Sequence, residues 1–200
     1  MMEQTKQYEY VDLGLPSGLK WATMNVGAET ETDYGDYFMW GSTTPNTPDE
    51  CILAKAPFNG GASSYNDEYI NSVKDTVCPN GILAKEYDAA AQIMGGDWRM
   101  PTEAEFQELI DYTTKEWATI NDVNGYKFIG SNGNSIFIPA AGDCYDGFMS
   151  GVGNGGDVWS SSINIFHPRH AWFLGFLSGY CEMGNRGHCC IGRSVRGVMD

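Results

Sequence analysis

Positive charge is scarce in this chain. Twelve lysines and arginines stand against 26 aspartates and glutamates, for a formal net charge of -14. That balance argues against a nucleic-acid partner, because no excess of cations is available to displace phosphate counterions. It argues equally against anionic membrane surfaces. Long apolar runs are missing too. No segment approaches the roughly 18 apolar residues that span a bilayer, so no direct membrane insertion is expected. The opening MMEQTKQYEY is polar and has no signal-peptide pattern.

The motifs of common enzymes are absent. No GxGxxG opens a helix, and there is no P-loop, HExxH or GxSxG. The six cysteines (51, 78, 144, 181, 189 and 190) form no CxxC pair and show no zinc-type spacing. One or two disulfides remain open, with pairing unreadable from sequence. His167-Pro168-Arg169-His170 sets two histidines three apart, but Pro168 disfavours the helix that would give this spacing meaning. Arg169 would also repel a cation. No catalytic residue, metal site or cofactor is expected, and the chain reads as a non-enzyme.

What is present is glycine, at 25 residues, and aromatics, at 13%. Both favour short strands and turns. Two hundred residues suit one domain spanning 1–200. Val11, Leu13 and Leu15 alternate with Asp12 and Gly14 as in a half-buried strand. Residues 42–84, with four prolines and Asn59-Gly60-Gly61, read as an irregular insertion. Two helices are expected next. One covers Lys85–Met94 and stops at Gly95-Gly96. The other opens at Thr102, where Thr102-x-x-Glu105 is a capping box. Short strands follow at Tyr126–Ile129, Ser135–Pro139, Asp157–Ser161 and Ala171–Leu177. The resulting expectation is an α+β fold with two helices and short antiparallel strands. In the last strand Trp172, Leu174 and Phe176 share one face and Phe173, Gly175 and Leu177 the other. The second face is either also buried or a binding surface.

Several motifs point to a family. They include Val11-Asp12-Leu13-Gly14-Leu15-Pro16-Ser17-Gly18, Tyr34-Gly35-Asp36-Tyr37-Phe38-Met39-Trp40-Gly41 and Trp98-Arg99-Met100-Pro101-Thr102. Ile136-Phe137-Ile138-Pro139-Ala140-Ala141-Gly142, Trp159-Ser160-Ser161-Ser162 and Gly192-Arg193-Ser194-Val195-Arg196 complete the set. Together they resemble the major-paralogous-domain proteins of Bacteroidetes, which are similar to the formylglycine-generating-enzyme branch of the C-type lectin fold. The resemblance implies a C-type lectin-like fold and a secreted, cell-surface or virion-associated protein. It extends to the variable proteins of diversity-generating retroelements, found in gut bacteria and bacteriophage. In these, adenine-directed mutagenesis rewrites a C-terminal ligand-binding face.

On that resemblance residues 163–191 form a variable binding region. Its candidate ligand-binding residues are Ile165, Phe166, His167, Arg169 and His170, then Phe173, Gly175, Leu177 and Tyr180, then Gly187, His188, Cys189, Cys190 and Ile191. All are reachable from an adenine-rich asparagine codon, whereas Trp172, Glu182 and Met183 would be framework. Phe166, Phe173, Leu177 and Tyr180 would give contact area, and Arg169, His170 and His188 polar selectivity. The implied partner is a protein or glycan on another surface, with the oligomeric state open. Two alternatives stand beside this adhesin or receptor reading. One is a copper-dependent oxidase of the formylglycine-generating type, using Cys181 with Cys189 or Cys190. The other is a structural subunit of a surface assembly. The Glu-Pro-Asn and Trp-Asn-Asp signatures of calcium-dependent sugar binding are missing.

Overall fold

The computed structural model describes residues 8–200. Two strands open the chain, β1 (Tyr10–Asp12) and β2 (Lys20–Asn25). Three helices follow: α1 (Asp67–Val77), α2 (Ala89–Met94) and α3 (Glu103–Tyr112). The remaining strands are β3 (Thr114–Ile120), β4 (Val123–Ile129), β5 (Ser135–Pro139), β6 (Asp143–Tyr145), β7 (Phe148–Ser150), β8 (Gly155–Ile163), β9 (His170–Leu177), β10 (Tyr180–His188) and β11 (Arg196–Met199). They form four small sheets, ordered β1-β2-β11, β3-β4-β5, β6-β7 and β10-β9-β8, with every strand pair antiparallel.

This corrects the expected α+β fold with two helices. Strand outweighs helix, 37% to 20%, and there are three α-helices among the described residues. The missed helix, α1, lies inside the supposedly irregular 42–84 segment. Asn66 caps it by accepting from the Tyr69 N–H at 3.1 Å, and Ile70 and Val77 pack inward seven residues apart. The expected helix over Lys85–Met94 splits. A 3-10 turn covers Lys85–Tyr87, and α2 starts only after Asp88, whose carboxylate accepts from the Ala91 N–H at 2.9 Å. The Thr102 capping box forms with both reciprocal bonds, and Phe106, Leu109 and Ile110 of α3 are buried.

Three apolar clusters make the core. The first gathers Leu13, Trp21, Phe106, Phe128, Ile138, Leu174 and Phe176. The second gathers Phe38, Trp40, Trp98, Trp159 and Val195, with Phe173 packed against it. The third is Met39, Cys51, Ala56, Cys144 and Cys190. The motif residues interlock between these clusters. The Trp40 indole donates to the Ser160 carbonyl at 2.8 Å, and the Trp159 indole to the Phe38 carbonyl at 2.9 Å. Phe38 and Arg193 exchange both backbone bonds. Arg196, fully buried, donates to Asn25 Oδ1 and to the carbonyls of Ala22 and Phe137 at 2.8–2.9 Å. Three charge-assisted bonds offset its desolvation and tie β2, β5 and β11 together. These contacts hold the β8–β9–β10 sheet, which carries half of the candidate residues.

Candidate functional site

The register of the β8–β9–β10 sheet sets the chemistry of one face. Three cross-strand rows share it: Gly155–Leu177–Tyr180, Asp157–Gly175–Glu182 and Trp159–Phe173–Gly184. Side chains directly opposite on one face are neighbours, so the large residues of each row flank glycine. A trough results over Gly175, between the carboxylates of Asp157 and Glu182. Its volume is about 320 Å³, and Asp143, Ser150 and Gly151 of the β6–β7 hairpin region close one side.

Behind the trough lies a buried cation. Arg193 is 4% exposed, and its Cζ stands 3.9 Å from the Phe173 ring centre and 4.3 Å from that of Trp159. Its Nε donates to Asp157 Oδ2 at 3.1 Å, and its Nη2 lies 3.9 Å from Asp143 Oδ2. Burial pushes both carboxyls above the ordinary aspartate pKa, while Arg193 pulls them back. Of the three carboxylates around the trough, one guanidinium pairs with two, Asp157 and Asp143, and the third, Glu182, accepts from the Tyr180 hydroxyl. That surplus suits a ligand presenting hydroxyl, ammonium or guanidinium donors.

The predicted residues do not form one patch. Phe173, Gly175, Leu177 and Tyr180 line the trough. Leu177 is 53% exposed and Tyr180 46%, while Phe173 is half-buried and Gly175 buried. Strand β9 is thus covered on both faces along most of its length and opens at its Leu177 end. Ile165 and Phe166 project from the β8–β9 loop at the other end, Phe166 at 82% exposure.

Arg169 and His188 pair with residues of the 42–84 segment. Arg169 pairs with both carboxylate oxygens of Asp67 and lies over the Tyr65 ring at 4.8 Å. Tyr65 stacks on His188 and hydrogen-bonds its Nδ1. His167, His170 and His188 lie together, with ring centres 6.4 and 4.4 Å apart along that order. Among the described residues, no group of three or more His, Cys, Asp or Glu is arranged to hold a metal. Burial lowers the pKa of His170 and His188, and neighbouring cationic groups lower both further.

Gly187 and Cys190 are buried, and Cys189 and Ile191 half-buried. A Cβ on Gly187 would run into Trp159 and Arg193, so that position has a packing role. Of the cysteines of the copper alternative, Cys181 packs on the first cluster, Cys189 on the second and Cys190 in the third, so neither Cys189 nor Cys190 shares a cluster with Cys181. Asp143, Asp157 and the 150–156 wall were not among the predicted residues. Their signal was the glycine run Gly151-Val152-Gly153-Asn154-Gly155-Gly156. A second cleft, of about 510 Å³, lies between Asp88, Arg99, Glu105 and Asp200. Though larger, its Arg99, Glu105, Asp200 and Asp88 groups are already bonded within the fold.

The family model described as the Lcl C-terminal domain matches residues 16–196. No curated protein and no solved structure matches the chain.

Proposed function

The chain belongs to the Lcl C-terminal domain family, whose members are ligand-binding modules of the variable-protein type on a C-type lectin fold, and on that premise we propose that it is a non-catalytic adhesin or receptor module whose ligand enters the trough of the β8–β9–β10 sheet. The observation that carries this reading is the placement of Phe173, Gly175, Leu177 and Tyr180 around one cavity with acidic walls. Leu177 and Tyr180 supply exposed apolar area at the mouth. Asp157 and Glu182 accept hydrogen bonds from inside it. The buried Arg193 stack holds this geometry before the ligand arrives, which limits the entropy lost on binding.

The partner is a protein or glycan displayed on another surface, and the chain itself is secreted, cell-surface or virion-associated. Diversification acts on the exposed subset of 163–191: Ile165, Phe166, His167, Leu177 and Tyr180. Gly187 and Cys190 stay outside it because they are buried. In binding assays the labelled protein is applied to a glycan array and to intact bacterial and epithelial cells. Retained signal that a Leu177→Ser/Tyr180→Ser variant loses supports the trough. The diversification claim is tested separately, by sequencing the gene's neighbourhood for a near-identical template repeat and a reverse transcriptase. Absence of both removes that claim and leaves the binding claim standing.

A further inference from the structure

We propose that Cys51 and Cys144 close a disulfide that fastens the 42–84 segment to the hairpin walling the trough. The two sulfurs lie 3.3 Å apart although 93 residues separate them in sequence, and both side chains are fully buried. The backbone around them is pinned on each side. The Asp146 N–H donates to the Cys51 carbonyl at 3.0 Å, and the Gly147 N–H to the Pro48 carbonyl at 3.0 Å. Cys144 and Gly192 exchange both backbone bonds at 2.9 Å. A Cβ on residue 192 would stand 2.5 Å from each sulfur. Glycine there keeps open the space in which the sulfurs meet. Shortening the gap to the roughly 2.05 Å of a disulfide requires about 1.3 Å of side-chain movement, with the backbones already adjacent.

The other thiols are placed differently. Cys78 donates to the Lys74 carbonyl at 2.9 Å, Cys181 sits in the first cluster and Cys189 packs on the second. Cys190 shares the third cluster and is the one competitor. The oxidant is a small-molecule disulfide such as oxidised glutathione, acting before the core closes over the thiols. The Cys144 thiolate attacks one glutathione sulfur and expels the other as a thiolate. The Cys51 thiolate then attacks the Cys144 sulfur of the mixed disulfide and expels the second glutathione. Two protein thiols lose two electrons and two protons, and one glutathione disulfide becomes two thiols. Attack by Cys51 first gives the same bond and the same balance. The proposal stands whether or not the trough takes a ligand.

The test refolds the full chain from urea and reductant into a glutathione redox buffer, then alkylates free thiols under denaturing conditions. Six cysteines less the bonded two leave four alkylated, with a peptide joining Cys51 to Cys144. The link persists in Cys190→Ser and is lost in Cys51→Ser. In the native protein it resists reduced glutathione, and it is reduced once urea exposes it. The same mapping on protein exported into an oxidising compartment gives an independent reading. Six alkylated cysteines in both preparations, or a link from Cys190 to Cys51 or Cys144, overturns the proposal.

Discussion

The guanidinium of Arg193 stacks on the ring of Phe173, Cζ to ring centre 3.9 Å, and the Trp159 ring, edge-on to that of Phe173, has its centre 4.3 Å from the same carbon. This contact joins the second core cluster to the trough. It also brings this buried cation within reach of Asp157 and Asp143.

Removing that cation leaves two part-buried carboxylates facing each other. Arg193→Met is therefore expected to lower unfolding free energy by about 3–5 kcal/mol. Arg193→Lys keeps the charge but loses the planar stack, and recovers only part of the loss. Urea titrations followed by tryptophan fluorescence read both. Wild-type stability in Arg193→Met would mean that the ion pair contributes nothing.

Positions within 163–191 split by packing. Gly187→Ser forces side-chain atoms into Trp159 and Arg193, at a cost of about 1–3 kcal/mol. Ile165→Ser and Leu177→Ser touch exposed surface and stay within about 0.5 kcal/mol of wild type. Thermal melts of the three variants distinguish the classes. Equal tolerance at all three positions would contradict the assignment of Gly187 to the core.

Gly175 is the floor of the trough. A Cβ there would lie 3.0 Å from Phe173 and 3.3 Å from the Asp157 carboxylate, so small adjustments admit it. Gly175→Leu fills the cavity while the sheet survives. Binding to array or cell probes should fall at least about tenfold, equivalent to about 1.4 kcal/mol, with an unchanged circular dichroism spectrum. Undiminished binding would place the ligand elsewhere.

His170 and His188 have folded pKa values held below the ordinary histidine value by burial and by the surrounding His167, Arg169, Arg186 and Arg193. Their neutral rings suit the fold and their charged forms do not. Their contribution is complete above the unfolded pKa of about 6.5 and is lost as pH falls through the depressed folded values. Each histidine adds a slope of at most about 1.4 kcal/mol per pH unit in that window. Urea midpoints of wild type and His188→Gln, compared from pH 7.5 to 5, should converge on the acid side. Parallel curves would contradict the shift.

Much of this was legible in the sequence where local chemistry decides. The Thr102 capping box, the Ser135–Pro139 strand and the alternation along 171–177 depend on neighbours a few residues away, and the structure keeps them. The helix Asp67–Val77 was hidden because prolines and glycines on either side dominate the local reading, while its apolar stripe is only Ile70, Val73 and Val77. The trough needed knowledge of register. Asp157 and Glu182 flank Gly175 only once β8 and β10 pair on either side of β9. The pairing of Arg169 with Asp67 and of His188 with Tyr65 was equally invisible, because the partners lie about a hundred residues away in the chain.

The most direct test of the trough as the ligand site is a hydrogen-exchange footprint taken with a ligand recovered from the array or cell screen. Protection should concentrate on amides of 155–157, 173–177 and 180–184, with the 165–170 loop and residues 188–191 unchanged. Protection confined to 165–170 and 188–191 would contradict the account and move the site to the histidine end of the sheet.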